Sequence, residues 1–344
     1  MVNEDKQPVQ KIWINQWCGP DSIRLIEDAL VKISTGSYIE IDAPLRTFNL
    51  DELSDYCHQK GYPIEVHLGS NSCQILIYKG QLVAKTKIVL QGIRKTFSTN
   101  DGHVNTFDGI DLDIKEGEFV CIVGPTGCGK STLLNIIAGL VQADEGTVQM
   151  DGKVMKGSGP DRLMIFQEPA LFPWYNVEAN VKFGLRLKNL NPEKQDELAK
   201  KYLQMVHLAR FRKTDVHQLS GGMKQRVAIA RALALEPDVL LMDEPFSALD
   251  EQTKHILHNE LQDIWQKTGK TIIFVTHHLT EAICLADRVI LLSVRPARIK
   301  KQYYIDLVRP RNDEDIQVAL LAKQMSEDLK EEIDKLVQEQ HETY

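Results

Sequence analysis

Apolar and polar residues alternate along this chain in two styles, and the change falls near residue 80. Before it, the pattern predicts strand over 11–15, helix over 22–34, strand over 38–41, helix over 50–60, and strands over 63–68 and 73–78. In the first helix Ile23, Leu25, Ile26, Ala29, Leu30 and Ile33 recur at helical spacing, Asp21 is the expected N-cap, and Gly36 is placed to end it. That order predicts a small two-layer α/β sandwich over 9–79, joined through 79–86 to a second, larger segment.

Beyond the join, 88–93 and 106–114 alternate as strands. Residues 118–123 form a continuous apolar strand that runs into a glycine-rich loop and then a helix over 131–140. The stretch 175–215 is polar and mostly helical. Strand 238–242, helix 251–267, strand 271–276, helix 280–286 and strand 288–293 come after it. A charged tail, helical over 313–341, carries Ile316, Leu320, Leu321, Met325, Leu329, Ile333 and Leu336 as one stripe, with its charges on a solvated face. Three placements are open for it: on the second segment, across a dimer, or against the first segment.

At 344 residues the chain has room for two domains and a tail. Its net charge of −7 gives no basic signature, so no nucleic-acid partner is expected. No apolar run is long enough to span a bilayer, and the start of the chain is acidic and polar rather than secretory. The six cysteines are scattered, which predicts reduced thiols in a cytosolic protein.

Residues Gly124-Pro125-Thr126-Gly127-Cys128-Gly129-Lys130-Ser131 sit between a buried strand and a helix. Glycines free the backbone N–H groups to point at a phosphate, and the helix start adds partial positive charge. Lys130 is expected to reach the β- and γ-phosphates and Ser131 to ligate Mg²⁺, with Thr132 completing the nucleotide-binding loop. Cys128 has two readings: a thiol made reactive by the helix N-terminus, or a small residue that fits the turn. Strand 239–242 ends in Asp243-Glu244. Asp243 suits the Mg²⁺ shell, and Glu244 is the expected general base on the attacking water.

The loop at 124–131, together with Leu219-Ser220-Gly221-Gly222-Met223-Lys224-Gln225-Arg226, resembles the ATPase subunit of an ATP-binding-cassette (ABC) transporter over about residues 87–310. The resemblance implies an α/β P-loop cassette with a mixed sheet core, an antiparallel β subdomain and a helical subdomain, followed by a tail over 311–344. It implies ATP and Mg²⁺ as cofactors. Phe97 matches the adenine-stacking aromatic, Gln167 the glutamine touching Mg²⁺ and water, and His277 the switch histidine on the γ-phosphate. Ser220, Gly221 and Gly222 match the signature that closes over nucleotide on the opposite subunit, and Ser247-Ala248-Leu249-Asp250 matches the loop crossing that interface. The chain departs from many relatives at His278, where they carry Asp. The paired histidines have no third ligand in view and are not read as a metal site.

One cassette holds half of each composite site, so a homodimer or a sister ATPase subunit is implied. Leu171-Phe172-Pro173-Trp174-Tyr175-Asn176-Val177 resembles importers of the nitrate/sulfonate/taurine type, as does Val308-Arg309-Pro310-Arg311. That implies transmembrane permease subunits, indirectly a solute-binding protein, and a place on the cytoplasmic face of the cell membrane. A soluble ATPase that remodels a cytosolic partner, and a sulfur-relay-linked ATPase, are the alternatives. Residues 9–79 resemble sulfur carriers of the TusA/SirA type. Cys18 stands where their persulfide cysteine stands, but Gly19 and Asp21 replace the prolines of their motif. A regulatory or docking domain is the other reading of this segment.

Overall fold

The computed structural model describes residues 10–32, 37–44, 47–60, 62, 64–68, 72–79, 85–99, 102–307 and 309–342. The chain divides into two compact units, Met1–Lys85 and Thr86–Tyr344.

The first unit runs β1 (Gln10–Trp13), α1 (Pro20–Lys32), β2 (Ser37–Pro44), α2 (Leu50–Lys60), β3 (Ile64–Leu68) and β4 (Ser72–Lys79). Its sheet has the order β1-β2-β4-β3. Alternate residues of the strands (Ile39, Ile41, Ile75, Ile77) share one core with Ile26, Leu30 and Leu53, so both helices cover the same face. Trp17 closes this core edge-on against Phe48, 4.7 Å between centroids, and its indole N–H donates to Glu52.

The first helix starts at Pro20, where a residue without an N–H leaves no donor unmet. Asp21 therefore lies in the first turn and is not the N-cap. The Cys18 backbone N–H donates to Ser22 Oγ at 3.0 Å instead. Leu25, expected in the buried stripe, is 49% exposed. Ile33, Gly36 and Pro63 lie outside the described residues.

The second unit begins with the antiparallel pair β5 (Thr86–Thr99) and β6 (Gly102–Lys115), followed by β7 (Phe119–Val123) and α3 (Lys130–Ala138). Next come β8 (Glu145–Met150), β9 (Lys153–Val154) and β10 (Arg162–Ile165), then helices α4 (Val177–Leu187), α5 (Pro192–Met205) and α6 (Gly221–Ala234). The chain continues through β11 (Val239–Asp243), α7 (Glu251–Thr268), β12 (Thr271–Val275), α8 (Leu279–Leu285), β13 (Arg288–Leu292), β14 (Ile299–Tyr304) and α9 (Ile316–Glu342).

The central sheet has the order β10-β11-β12-β7-β13-β14, parallel except for β14. Its inner strands are buried on both faces, which is why they read as continuous apolar runs rather than alternating ones. One face packs on α6, α7 and α8; the other packs on α3 and on the antiparallel sheet β6-β5-β8-β9. The α/β cassette expected from the resemblance is therefore the fold: mixed sheet, antiparallel subdomain and a helical subdomain of α4 and α5.

The tail helix settles on this unit. Val318 and Met325 of α9 are fully buried in its core. Lys300 of β14 reaches the Asp328 carbonyl at 2.7 Å and the Glu331 carboxylate at 2.8 Å, and Lys301 pairs with Asp328 at 2.8 Å. Arg311, 6% exposed, caps the end of α8 by donating to the carbonyls of Ile283 and Ala286. The side chains of Ile333 and Leu336 lie outside the described residues, as does Val308.

Candidate functional site

The buried strand β7 delivers the chain directly into the loop 124–129, and α3 starts at Lys130. Gly129 caps that helix with φ 113°, a conformation that L side chains rarely adopt. A Cβ there would stand 2.7 Å from Thr106 Cγ2, so the loop can sit this close to β6 only with glycine. Gly127 also has positive φ, at 79°.

Lys130 is 7% exposed, and its ammonium donates to the carbonyls of Gly124 and Pro125 at 3.0 and 3.2 Å. Two neutral acceptors of the loop itself therefore hold this charge where the loop opens. Ser131 Oγ donates to Asp243 Oδ1 at 2.9 Å, which joins the start of α3 to the end of β11. Burial pushes the Asp243 carboxyl above the ordinary aspartate range, against the hydrogen bond from Ser131.

Glu244 follows in the left-handed region with φ 42°, a strained turn for a residue with a side chain, costing about 1–2 kcal/mol. Its N–H donates to the Val275 carbonyl at 3.0 Å, fixing the turn against β12. Its Oε2 lies 2.9 Å from His277 Nδ1, at the end of that strand. Two neighbouring parallel strands thus present an acid and an imidazole to each other, at hydrogen-bonding distance.

A cavity of about 380 Å³ takes in Phe97, Thr126, Gly127, Gly129, Lys130, Ser131, Thr132 and Glu244. Phe97 is 39% exposed, with the Lys95 ammonium 5.1 Å from its ring centroid. The sequence reading missed Thr99, Val104, Thr106 and Arg295 in the same wall. Arg295 also donates Nε to the Gly127 carbonyl. It comes from the turn between β13 and β14, and no local pattern marks it.

Cys128 is 2% exposed, and burial pushes its thiol up. A reactive thiolate is thereby contradicted, and the reading as a small residue fitting the turn is the one its surroundings match. Among the described residues no group of three His, Cys, Asp or Glu is placed to hold a metal ion.

The remaining candidates gather elsewhere. Ser220 caps α6, its Oγ accepting from the Met223 N–H at 3.3 Å. Asp250 caps α7 in the same way, from the Thr253 N–H at 2.9 Å. The two helix starts touch: a Cβ on Gly221 would meet Leu249 Cδ2 at 3.1 Å, and one on Gly222 would meet Thr253 Cγ2 at 2.6 Å. Among the described residues, none of Ser220, Gly221, Gly222 or Asp250 lines the cavity that holds Lys130. Gln167 is exposed just beyond β10.

The segment after Gln167 is tied down. Arg231 of α6 donates to the carbonyls of Ala170 and Pro169 at 2.9 and 3.0 Å. Asn180 of α4, fully buried, accepts from the Phe172 N–H at 2.8 Å and donates to the Tyr175 carbonyl at 3.2 Å. Phe172, Trp174, Tyr175 and Phe183 form an aromatic cluster on this frame, with Trp174 72% exposed.

The family model described as "ABC transporter" matches residues 107–247. An uncharacterized ABC transporter ATP-binding protein of Methanocaldococcus jannaschii is 49% identical over 249 residues, 72% of this chain and 93% of that one. A nitrate import ATP-binding protein, NrtD of a Synechocystis species, is 48% identical over 62% of this chain and 81% of its own. Among solved structures, a dimeric ATP-binding cassette in a post-hydrolysis state with ADP and Pi superposes with a TM-score of 0.57 at 33% identity, covering 64% of this chain and 99% of that one.

Proposed function

The chain belongs to the ABC transporter family, and from that premise we propose that it is the ATP-hydrolysing, energy-coupling subunit of an importer. ATP is its substrate. The observation that carries the reading is the convergence of Lys130, Ser131, Asp243, Glu244 and His277 on one side of the phosphate loop.

Each of these residues has a task that its surroundings support. The Lys130 ammonium, held by the neutral carbonyls of Gly124 and Pro125, is set to meet the β- and γ-phosphates. Phe97 offers an aromatic face to adenine across the same cavity. The Glu244 carboxylate takes the proton of the attacking water, and His277 Nδ1 holds that carboxylate in place while its ring stays available to the γ-phosphate. Mg²⁺ fits the hydroxyl of Ser131, the carboxylate of Asp243 and the amide of Gln167, all hard oxygen donors, and the charge of the partly desolvated Asp243 would be answered by a cation. When bound, the ion neutralises charge developing on the phosphates.

Ser220, Gly221, Gly222 and Asp250 stand apart from Lys130, so we assign them to nucleotide held by a second subunit. The dimeric solved cassette supports this assignment. Closure would be passed from Gln167 along the braced segment to the exposed aromatic cluster, which we propose receives a cytoplasmic segment of the permease. No helix among the described residues is long and apolar enough to cross a membrane, and the chain's place is proposed as peripheral, on the cytoplasmic face. The nitrate-import relative, with the resemblance of residues 171–177, supports a small solute of the nitrate, sulfonate or taurine kind, delivered by a solute-binding protein. We read the first unit, bounded as 9–79, as a regulatory or docking module of the TusA/SirA type; its βαβαββ order and the exposed Cys18 ahead of α1 support that.

Glu244→Gln tests the chemistry. It should bind ATP, lose hydrolysis by about 10²–10⁴-fold, and accumulate as a dimer in size-exclusion chromatography. Wild-type turnover in this variant would remove Glu244 from its role.

A further inference from the structure

Arg295 stands in the wall of the cavity that holds Lys130 and Glu244, on the turn 293–298 between β13 and β14. Its Nε donates to the Gly127 carbonyl in the middle of the phosphate loop. Its Nη2 lies over the same glycine, 3.1 Å from where a Cβ there would stand. That carbonyl is the one acceptor Arg295 has among the described residues. Other arginines nearby are neutralised. Arg94 and Arg298 pair with Asp108, Arg288 with Glu118, and Arg309 with Asp287. Arg295 keeps both terminal nitrogens, and its charge, unmatched at the edge of a cavity shaped by a phosphate loop.

The turn is tied down on two sides. The Ala297 N–H donates to the Thr106 carbonyl of β6 at 2.8 Å, and the Ser293 N–H closes the turn on the Arg298 carbonyl at 2.9 Å. The other tie comes from the tail helix. The Val294 N–H donates to Glu332 Oε2 of α9 at 3.2 Å, and Lys300 of β14 pairs with Glu332 Oε1 at 3.1 Å. Glu332 is 2% exposed. A carboxylate so buried is costly unless its charge is answered, and here it is answered by Lys300 and by the backbone one residue before Arg295.

We propose that Arg295 binds the phosphate chain of the nucleotide as a second cation beside Lys130, and that Glu332 is a positioning residue through which the tail helix sets nucleotide affinity. The assignment rests on ATP being the ligand of this cavity. Nε stays on the Gly127 carbonyl while the two terminal nitrogens donate to phosphate oxygens, the geometry a guanidinium fork suits. Without Glu332 the buried Val294 N–H loses its acceptor and the turn presenting Arg295 loosens.

Arg295→Gln separates the charge from the brace. The glutamine Nε2 stands as many bonds from Cα as the arginine Nε, so it can still donate to Gly127, but the guanidinium is gone. The full-length protein is titrated by calorimetry with Mg-ADP and with a non-hydrolysable ATP analogue. Both affinities should fall at least about fivefold in Arg295→Gln. Binding should also weaken less between about 50 and 300 mM salt than in the wild type, because a screened contact is missing. A mere brace would leave the salt dependence unchanged. Wild-type affinity in this variant, or an unchanged salt dependence, overturns the phosphate contact. Glu332→Met, which keeps the volume and removes the acceptor, should weaken binding at least about twofold alone and add nothing in Arg295→Gln. Glu332→Gln, still able to accept from Val294, should restore it. An additive loss in the double variant overturns the tail's role. Should Glu332→Met fold poorly, hydrogen exchange at the Val294 amide of the wild type decides: nucleotide should slow it at least about twofold, and unchanged exchange overturns the coupling. A wild type that binds no nucleotide contradicts the ATP reading of the cavity instead.

Discussion

Gly129→Ala puts a number on how tightly the phosphate loop is held. At φ 113° an alanine is strained by about 1–2 kcal/mol. Its Cβ would also stand 2.7 Å from Thr106 Cγ2 and 2.9 Å from two ring carbons of Phe107. Ordinary contact starts near 3.4 Å, so something must move by about 0.5–0.7 Å. Phe107 is fully buried in the core beneath the loop and has nowhere to go. Overpacking of this kind costs about 1–3 kcal/mol, which brings the total to about 2–5 kcal/mol. Gly92→Ala is the control: its φ is 58° and a Cβ there meets nothing within 4 Å, leaving a backbone cost of about 1 kcal/mol. Urea unfolding measures both. Because the displaced atoms in Gly129→Ala belong to the phosphate loop, ATP affinity should fall at least about tenfold there, equivalent to about 1.4 kcal/mol, and stay unchanged in Gly92→Ala. A Gly129→Ala protein that unfolds no earlier than Gly92→Ala and binds ATP like the wild type would refute this reasoning.

The separation of the two half-sites predicts complementation. Lys130→Ala and Ser220→Arg should each be inactive alone, and an equal mixture should regain roughly a quarter of wild-type ATPase activity, since half of randomly paired dimers carry one intact site of two; no recovery on mixing would count against a shared site. Asp243 predicts a pH effect. Its carboxyl is raised on folding, so the folded state keeps the proton longer, and the cost of ionising it appears as pH rises through the raised value and persists above it. Nucleotide-free Asp243→Asn should therefore be more stable than the wild type at neutral pH, with the gap closing below about pH 4, while ATP turnover is lost; a pH-independent gap in urea unfolding would contradict this. The thiols differ too: iodoacetamide should modify exposed Cys18 first and leave buried Cys128 intact until the protein unfolds, as peptide mass spectrometry would show. Early labelling of Cys128 would mean that its loop opens.

The chemistry was legible where it is written contiguously. Phosphate cradling needs glycines, a lysine and a hydroxyl within a few residues, and the strand before them is apolar because the sheet buries both of its faces. The acid–imidazole pair was legible only through resemblance, since Glu244 and His277 stand just past the ends of two different strands and meet through sheet register. Arg295 was not legible at all, because a turn after β13 brings it to the loop and nothing around it signals a site. Strand β14 escaped for a related reason. Its residues Ile-Lys-Lys-Gln-Tyr-Tyr look like a solvated stretch, yet Lys300, Lys301 and Tyr303 are spent on Asp328 and Glu331 of α9. Strand β10 hides a buried Arg162 whose Nε donates to the Ile137 carbonyl at 3.0 Å, a satisfied charge that breaks the apolar pattern. The first helix begins two residues before its apolar spacing predicts, because Pro20 already opens the first turn and Asp21 falls inside it.

The claim that this subunit drives a permease is tested most directly by purifying Glu244→Gln, with ATP, from detergent-solubilised membranes of the native host and identifying the chains that come with it. A polytopic membrane protein should come with it, and should be lost when Trp174, 72% exposed on the aromatic cluster, is changed to alanine. A closed dimer that binds ATP and brings no membrane chain would contradict it.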